Sequence, residues 1–338
     1  MAEFDEILKA VADGRSDLSE EQAQDAFAEI MQGSLPDAKI AALLAILHVK
    51  GERASEVLGA ARAMRRMAVK IRAPEDAVDI VGTGGDGFGT FNCSTTAAII
   101  AASCGVKIAK HGNRASTSKS GSADMLAALG FDLEKDVQTI ERDIEKKGIG
   151  FLFANMFHPA MRNVAPVRRS LPFRTVFNLL GPLANPALVR RSALGVYSQD
   201  IIPIYVHALK ELGTDHSLVF CGPDGLDELG LAGCSTVAEI MPGGEVREYE
   251  VDPQRIFGKC RAIDAIRGGT PQENARITRA VLEGGTGCEA YRDAAVLNAA
   301  AALVAGDKAE SIESGVEICS KAIADGMVAA KLRQFLER

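Results

Sequence analysis

The stretch Val78-Asp79-Ile80-Val81-Gly82-Thr83-Gly84-Gly85-Asp86 decides the fold, because an apolar run ends abruptly in a glycine-rich polar loop. Residues 78–81 have the length and composition of a short buried strand. The glycines that follow allow backbone N–H groups to approach an anion without interference from Cβ atoms. Hydroxyl residues 94–96 and the apolar run 97–102 then predict a helix that begins beside this loop. Loop and helix together predict an oxyanion site.

Two common phosphate motifs do not account for this loop. A Walker loop needs Gly-Lys-Ser/Thr, and the only lysine between Gly82 and Ala109 is Lys107. Residues 82–87 fit G-x-G-x-x-G, but Asp86 would lie where the pyrophosphate of a dinucleotide binds. An acid in a phosphate loop suits a ligand that also carries hydroxyls or arrives with a metal. The structural alternative is a tight turn in a doubly wound sheet.

A second polar cluster follows the next predicted strand, residues 106–109. It consists of Lys110-His111-Gly112-Asn113-Arg114 and the hydroxyl residues 116–118, and residues 122–128 then predict another helix. The cationic side chains and the helix N-terminus would both attract an anion. Two such loops suit a ligand with two phosphates, whereas the alternative is a polar loop that merely caps a helix.

Two adjacent acids follow a later predicted strand, residues 217–220. In a turn or in the first turn of a helix, Asp227 and Glu228 can both face one hard cation, with water and substrate oxygens completing its octahedron. Mg²⁺ is the natural candidate for such a site. Alternatively, the two carboxylates complement a helix dipole.

The N-terminal portion has helical periodicity. Ser19 and Gln22 form a capping box, and Gly33 can end the helix that begins there. Pro36 can open a helix over residues 40–49, and Ser55 can cap a helix over residues 57–67. The short connections between these helices indicate antiparallel neighbours.

From residue 78 onward, predicted strands and helices alternate, and residues 148–154 form one of the later strands. This order predicts an α/β fold with a mostly parallel central sheet covered by helices, and ligands at the carboxyl ends of its strands. We therefore expect a small all-helical domain, residues 1–72, joined by helices from about residues 160–190. Residues 73–338 would form a larger α/β domain that binds the anion.

Composition narrows the function classes. The chain has 338 residues, 47% of them hydrophobic, and a formal net charge of −7, which disfavours nonspecific nucleic-acid binding. No apolar run is long enough for a membrane span, and residues 1–9 do not resemble a signal peptide, so we expect a cytoplasmic protein. The seven cysteines are scattered and never spaced C-x-x-C, which predicts reduced thiols rather than disulfides or zinc ligands.

Seven motifs occur along the chain in a fixed order: Gly82-Thr83-Gly84-Gly85-Asp86, Asn92-x-Ser94-Thr95, Lys110-His111-Gly112-Asn113-Arg114, Ser120-Gly121-Ser122-Ala123-Asp124, His158-Pro159-Ala160, Asn178-Leu179-Leu180-Gly181-Pro182-Leu183 and Gly225-Leu226-Asp227-Glu228. Their identity and order resemble the anthranilate phosphoribosyltransferase family over nearly the whole chain. The resemblance implies transfer of the phosphoribosyl group of phosphoribosyl pyrophosphate (PRPP) to the amine of anthranilate. The products would be N-(5-phosphoribosyl)anthranilate and pyrophosphate, as a step of tryptophan biosynthesis.

The same resemblance implies a homodimer formed through the helical domain, with no nucleic-acid or membrane partner. It also implies which residues hold the phosphoribosyl donor. These are Gly82, Gly85, Asp86, Thr90, Asn92, Cys93, Ser94, Thr95, Lys110, His111, Gly112, Asn113, Arg114, Ala115, Ser116, Thr117, Ser118 and Ser122.

The resemblance further implies that Mg²⁺ is the cofactor, with two ions per subunit bound by Ser94, Asp227 and Glu228. Lys110 and Arg168 would act electrostatically, and no residue would serve as a dedicated nucleophile. Anthranilate would be bound by Gly82, Asn113, His158 and Arg168.

Two other functions remain open from the residues alone. A pyrimidine nucleoside phosphorylase would share the architecture and a glycine-serine phosphate loop, but it gives no reason for two acids and two anion loops. A non-catalytic relative could bind nucleic acid through the same scaffold, but the intact acidic pair and the negative charge disfavour it.

Overall fold

The structure is a computed structural model that describes residues 2–14, 17–115 and 118–337. Its N-terminal part is helical, as the periodicity predicts. The first four helices are α1 (Ala2–Ala12), α2 (Glu20–Gln32), α3 (Asp37–Lys50) and α4 (Ala54–Met67).

The ends of these helices follow from local chemistry. Ser19 and Gln22 form the predicted capping box of α2, and Gly33 ends that helix in the left-handed region with φ of 77°. Pro36 stands at the N-cap of α3, as predicted. The prediction that Ser55 caps α4 is wrong, because the Ser55 hydroxyl donates instead to Leu18 O at 2.8 Å. Helix α4 instead begins after Arg53, whose N–H donates to the buried Glu56 carboxylate at 2.8 Å.

The predicted mostly parallel sheet is confirmed. Seven strands lie in the order β3-β2-β1-β4-β5-β6-β7, in which the first five are parallel and the last two antiparallel. The order reverses between β1 and β4, so the carboxyl end of β1 is the switch point where α/β folds bind ligands. The strands are β1 (Val78–Gly82), β2 (Ile108–Gly112), β3 (Ile149–Phe153), β4 (Arg191–Gly195), β5 (His216–Cys221), β6 (Ser235–Ile240) and β7 (Val246–Val251).

Helices cover both faces of the sheet. Their central pair is α5 (Cys93–Ser103) and α14 (Glu289–Ala305), whose alanine-rich surfaces allow close packing under the sheet. The others are α6 (Ser122–Leu129), α7 (Val137–Lys147), α8 (Ala154–Phe157), α9 (Ala165–Ser170), α10 (Phe177–Leu180), α11 (Ile202–Glu211), α12 (Pro253–Phe257), α13 (Pro271–Leu282), α15 (Ile312–Ala324) and α16 (Met327–Leu336).

One strand boundary differs from its prediction in a way that matters for the site. Residues 106–109 were expected to be a strand ending before Lys110, but β2 begins at Ile108 and includes Lys110, His111 and Gly112. Val106 stays out of the strand because its N–H donates to Ala101 O at the end of α5. The Lys110 side chain is therefore held by the sheet rather than by a loop.

The helical part is continuous in its packing with a later segment of the chain. Val164, Val167 and Phe177 lie in one buried cluster with Phe27 and Leu44 of the N-terminal helices. Among the described residues, no helix is both long enough and apolar enough to cross a membrane.

Candidate active site

The glycine loop after β1 is shaped by an acid that packs directly on it. A Cβ at Gly82 would lie 2.3 Å from Asp227 Oδ2, and a Cβ at Gly195 would lie 1.7 Å from Asp227 O. Only glycine permits this approach at the ends of β1 and β4. The segment containing Asp227 and Glu228 therefore lies across the switch point of the sheet.

The two acids connect the glycine loop to the helix that follows it. Asp227 Oδ2 accepts a hydrogen bond from Gly84 N at 2.5 Å, and Glu228 Oε1 accepts one from Ser94 N at 3.0 Å. Ser94 lies in the first turn of α5, as the sequence predicts. Both carboxylates lie in an irregular bend after β5, so the prediction of a turn holds and no helix begins there.

The carboxylates of Asp227 and Glu228 are buried without enough positive charge nearby to compensate them. Burial, followed by the nearby Asp86 charge, raises the pKa of Asp227 to about 7. Burial and the neighbouring Asp227 raise the pKa of Glu228 well above its ordinary value. Lys110 is also buried, and burial lowers the pKa of its ammonium group. A cation bound here would relieve the repulsion among the carboxylates.

The donor atoms present fit a hard cation. Asp86 Oδ2 is buried and has no hydrogen-bond partner in the described chain, and the Ser94 hydroxyl lies 3.3 Å from Lys110 Nζ. Among the described residues, no three His, Cys, Asp or Glu side chains are grouped so that they alone could hold one ion. Mg²⁺ is suited to such a site, because it keeps several waters or substrate oxygens in its coordination shell.

Asp124 of α6 organises the second polar loop. It accepts from Arg114 Nη1 at 2.9 Å, from Ala115 N at 2.8 Å and from Gly121 N at 3.1 Å. The Ser122 hydroxyl donates to Asn113 O at 3.1 Å. The loop thus returns to the start of α6, where its N–H groups can face an anion. Ser116 and Thr117 lie outside the described residues.

Asn92, the residue before α5, joins this loop to α13. Its Nδ2 donates to Ser120 O at 3.2 Å, and its Oδ1 accepts from the Ser120 hydroxyl at 3.2 Å and from Asn274 Nδ2 at 2.8 Å. The Asn92 side chain, which is predicted to contact the phosphoribosyl donor, is thus engaged in hydrogen bonds within the protein.

Two histidines, His111 on β2 and His158 directly after α8, lie side by side. The rings of His111 and His158 are 5.1 Å apart, and His111 Nδ1 is 3.2 Å from Gly181 O. Burial lowers the pKa of His111 to about 3 and that of His158 to about 4. Both imidazoles are therefore neutral at pH 7 and add no charge to the cleft.

Arg168 is a largely buried cation without a carboxylate partner among the described residues. Its guanidinium lies over the Phe177 ring at 5.4 Å, and burial lowers its pKa. Arg174 lies nearer the glycine loop, where its Nη1 donates to Gly85 O at 3.0 Å and its guanidinium lies 3.9 Å from the Tyr197 ring centre. An unpaired, desolvated guanidinium is well suited to bind a carboxylate.

Unpartnered polar atoms are concentrated around this cleft. In the described chain, the buried side-chain oxygens and nitrogens that lack a hydrogen-bond partner all belong to the segments described above. Since buried polar groups in native proteins are normally paired, their concentration here marks a place where a polar ligand binds. They are Thr83 Oγ1, Asp86 Oδ2, Thr95 Oγ1, His111 Nε2, His158 Nε2 and Thr175 Oγ1.

Comparison with known proteins agrees with this geometry. Residues 5–68 match the helical bundle domain of a glycosyl transferase family, and residues 74–329 match its a/b domain. The chain is 50% identical to an anthranilate phosphoribosyltransferase of Rubrobacter xylanophilus over 331 residues, which cover 98% of this chain and 96% of the relative. The chain belongs to the anthranilate phosphoribosyltransferase family.

Solved structures of this family have the same fold. The Thermus thermophilus enzyme matches with a TM-score of 0.90 and 42% identity, covering 97% of this chain and 98% of that one. The Saccharomyces cerevisiae enzyme, in complex with PRPP and Mg, matches with a TM-score of 0.90 and 30% identity, covering 99% and 97%. The family expected from the motifs is confirmed, and with it a transferase.

Many of the residues predicted to form the anthranilate phosphoribosyltransferase site lie at the carboxyl ends of β1 and β2 and the starts of α5 and α6, while two of them make other contacts. The Cys93 thiol faces the core, where Asn298 Nδ2 lies 3.5 Å away, and burial raises its pKa. Thr90 is paired with Arg267 in an isolated bridge. A surface cavity of about 610 Å³ beside Arg267 is lined by none of the predicted site residues.

Four residues near the site were not predicted as site residues: Asp79, Arg174, Thr175 and Asn185. Arg174 stands in the same arginine-rich segment as Arg168, which is a signal in the sequence. Asp79 is a charged residue within a predicted buried strand, which is also unusual. Thr175 and Asn185 carry no such signal, because only the fold brings them to the cleft.

Proposed function

We propose that this chain transfers the phosphoribosyl group of PRPP to the amine of anthranilate, releasing pyrophosphate, as a step of tryptophan biosynthesis. The observation that carries the proposal is the group of buried, uncompensated carboxylates at the carboxyl end of the sheet. A partly buried arginine without a carboxylate partner among the described residues, and several unpartnered buried polar atoms, support it. The carboxylates suit a metal-bound diphosphate, and the arginine suits an aromatic carboxylate.

The donor would occupy the carboxyl ends of β1 and β2 and the starts of α5 and α6. The hydrogen bonds that hold both loops in place support this assignment. The proposed donor-binding residues are Gly82, Gly85, Asp86, Thr90, Asn92, Cys93, Ser94, Thr95, Lys110, His111, Gly112, Asn113, Arg114, Ala115, Ser116, Thr117, Ser118 and Ser122.

We propose that Ser94, Asp227 and Glu228 bind Mg²⁺, with two ions per subunit. The yeast relative solved with PRPP and Mg supports the metal, and the all-oxygen donor set of the described site supports its identity. When bound, Mg²⁺ supplies positive charge against the pyrophosphate oxygens.

Anthranilate would bind on the side of the cleft formed by Gly82, Asn113, His158 and Arg168. The Arg168 guanidinium would hold the carboxylate, because it is largely buried and has no acidic partner in the described chain. The neutral His158 ring would line the approach of the aromatic acceptor without repelling or attracting its charge.

The chemistry needs placement and electrostatics rather than a nucleophilic side chain. Cleavage of the anomeric C–O bond develops positive charge on the ribose and negative charge on the leaving pyrophosphate. Lys110 would stabilise the leaving group, while Arg168 and the two loops hold acceptor and donor in line. The amine forms the new C–N bond and then loses a proton to water or a phosphate oxygen. His111 is not required as a base, since its low pKa makes it a poor proton acceptor.

We also propose that residues 1–72 and helices from about residues 160–190 form one domain and that residues 73–338 form the other. Phe27, Val164 and Phe177 share one buried cluster, which supports joining the 160–190 helices to the N-terminal helices; the same cluster also reaches Leu194 and Val219 of the sheet. We propose a homodimer through the helical domain, where Val49 of α3 is 85% exposed. The seven free cysteines support a cytoplasmic location. Light scattering of the pure protein tests the dimer.

The activity is tested by following the loss of anthranilate fluorescence after PRPP and MgCl₂ are added to the pure protein. We expect loss only when all components are present. Loss without PRPP or without the metal would contradict the proposed reaction. Phosphate-dependent cleavage of thymidine or uridine, without transfer to anthranilate, would favour a nucleoside phosphorylase instead.

A further inference from the structure

The hydrogen-bonded ladder between strands β1 and β2 stops before the proposed pyrophosphate site. Their ladder contains a single residue pair, Val78 with Ile108, within the described chain, although both strands continue for four more residues. By contrast, β1 and β4 are paired along their whole length, from Val78 to Gly82. Backbone groups of β1 and β2 that would otherwise bond to each other must therefore find partners elsewhere.

Side chains supply those partners. Asp79 Oδ1 accepts from His111 N at 3.1 Å, and Asn185 Nδ2 donates to Ala109 O at 2.8 Å. The two side chains also bond to each other, since Asn185 Nδ2 donates to Asp79 Oδ2 at 2.8 Å. Across the same gap, Lys110 Nζ donates to Ile80 O. Three backbone groups that the ladder leaves free, Ile80 O, Ala109 O and His111 N, thus have side-chain partners.

Both side chains are buried, and Asn185 has little freedom to turn. Asp79 and Asn185 are each 1% exposed, and Asn185 Oδ1 accepts from Ala187 N at 2.9 Å. Asn185 lies on the connection that leads from the helical packing of Leu183 and Ala184 back to the sheet. The Asn185 amide therefore links that connection to Asp79 of β1 and to Ala109 of β2, the residue before Lys110.

We propose that Asp79 and Asn185 are a positioning pair that bridges β1 and β2 where their ladder stops and so keeps the Lys110 ammonium beside Ser94. Their contacts bracket Lys110, at Ala109 on one side and His111 on the other. Lys110 Nζ is 3.3 Å from the Ser94 hydroxyl, at the start of α5 where an anion would bind. The inference rests on the proposed function, in which Lys110 stabilises pyrophosphate.

The direction in which Asp79→Asn changes pyrophosphate binding distinguishes a positioning role of Asp79 from a purely electrostatic one. Removing the negative charge of Asp79 near an anion site should strengthen pyrophosphate binding if Lys110 stays in place. If Asp79 positions Lys110, the isosteric substitution Asp79→Asn should instead weaken binding, because one hydrogen bond to His111 N or Asn185 Nδ2 is lost. We expect pyrophosphate binding, measured by calorimetry in MgCl₂, to weaken by about tenfold or more.

A double-mutant cycle tests whether the effect passes through Lys110. In a Lys110→Gln background, Asp79→Asn should change the pyrophosphate Kd by less than about twofold, because the group it positions is already gone. Equal weakening in both backgrounds would overturn the proposal. Asn185→Ala is the second variant, and it should weaken pyrophosphate binding in the same direction as Asp79→Asn.

Ser217→Ala is the matched control, since it removes a buried hydroxyl that bonds Ser192 Oγ at 2.7 Å on the same sheet, distant from the cleft. It should lower the melting temperature without changing the pyrophosphate Kd. Unchanged or tighter binding by Asp79→Asn, or failure of both site variants to fold, would overturn the positioning role. Absence of pyrophosphate binding by the unsubstituted protein would instead contradict the proposed function.

Discussion

The two ends of the central sheet hold buried charge in opposite ways. At the carboxyl end, burial and mutual repulsion raise the pKa values of Asp227 and Glu228, and Asp86 Oδ2 has no partner in the described chain. At the amino end, His216 is flanked by Glu239 at 2.8 Å and Asp307 at 2.9 Å.

The amino-end cluster is fully paired. Tyr249 donates to Glu239 Oε2 at 2.9 Å, and Arg191 pairs with Asp307. Hydrogen bonds to its two carboxylates raise the pKa of His216 against the effect of burial, and His216 lowers the pKa of Glu239. At the amino end, paired buried charges therefore stabilise the fold. At the carboxyl end, unpaired buried charges mark the place where ligands complete the site.

The largest expected effect comes from neutralising the carboxyl end. Asp227→Asn with Glu228→Gln keeps the acceptors for Gly84 N and Ser94 N but removes both charges. We expect Mg²⁺-dependent turnover to fall by at least about a hundredfold. In metal-free buffer at pH 8, the free energy of unfolding should rise by about 1 kcal/mol or more, since buried repulsion is relieved.

The fluorescence assay and urea denaturation measure these two quantities. Lower turnover together with a higher free energy of unfolding would support the contrast between the carboxyl and amino ends of the sheet. If the double variant retained activity, Asp227 and Glu228 would not be the Mg²⁺ ligands. If it lost stability, the two carboxylates would instead stabilise the fold.

Arg168 is the unpaired cation that complements this end of the sheet. Arg168→Gln should raise the KM for anthranilate by at least about tenfold and change the KM for PRPP by less than about twofold, because the lost contact is with the acceptor carboxylate. Arg169→Gln, at the exposed neighbour on α9, should leave both KM values unchanged. Steady-state kinetics with each substrate varied in turn gives the answer, and equal effects on the two substrates would reject the acceptor role.

The pH dependence of stability tests the role of His216 at the amino end of the sheet. Its folded pKa is raised, so its charge contributes stability that is fully present below the unfolded pKa of about 6.5 and is lost as pH rises through the folded value. His216→Gln should therefore lower the free energy of unfolding by about 2 kcal/mol at pH 6 and by less at pH 9. Urea denaturation at both pH values measures this, and an equal loss at both would show that the charge of His216 does not matter.

Cys93 is expected to show the smallest effect, although it lies at the carboxyl end. Because its thiol contacts Asn298 in the core, Cys93→Ala should leave the KM for PRPP within about twofold. The free energy of unfolding should fall by about 1 kcal/mol, from the lost contact and the small cavity. A large change in KM would show that the thiol reaches the donor after all.

Much of the fold followed from local patterns. The capping box of α2, the glycine end of that helix and the strand over Val78–Gly82 were all predictable, because each depends on residues close in sequence. The error at Ser55 arose because its hydroxyl finds Leu18 O, 37 residues away in the chain. The late start of β2 arose because Val106 is retained by the end of α5.

The residues of the candidate site likewise divide into those with a local sequence signal and those without one. Its glycine loop and acidic pair carry dense local signals, because close approach to an anion or a cation restricts which residue types can occupy consecutive positions. Asn185 carries no local signal, since its amide acquires a role only when the chain returns from the helical packing to strands β1 and β2.

By itself, the sequence determined the α/β class, the family and the segments that carry the chemistry, because strand, loop and helix signals are short-range. Three properties follow from tertiary contacts alone: which charges remain uncompensated, that the ladder between β1 and β2 stops before Lys110, and that the Cys93 thiol faces the core. Burial and the pairing of distant groups set those properties, and neither can be read from neighbouring residues alone.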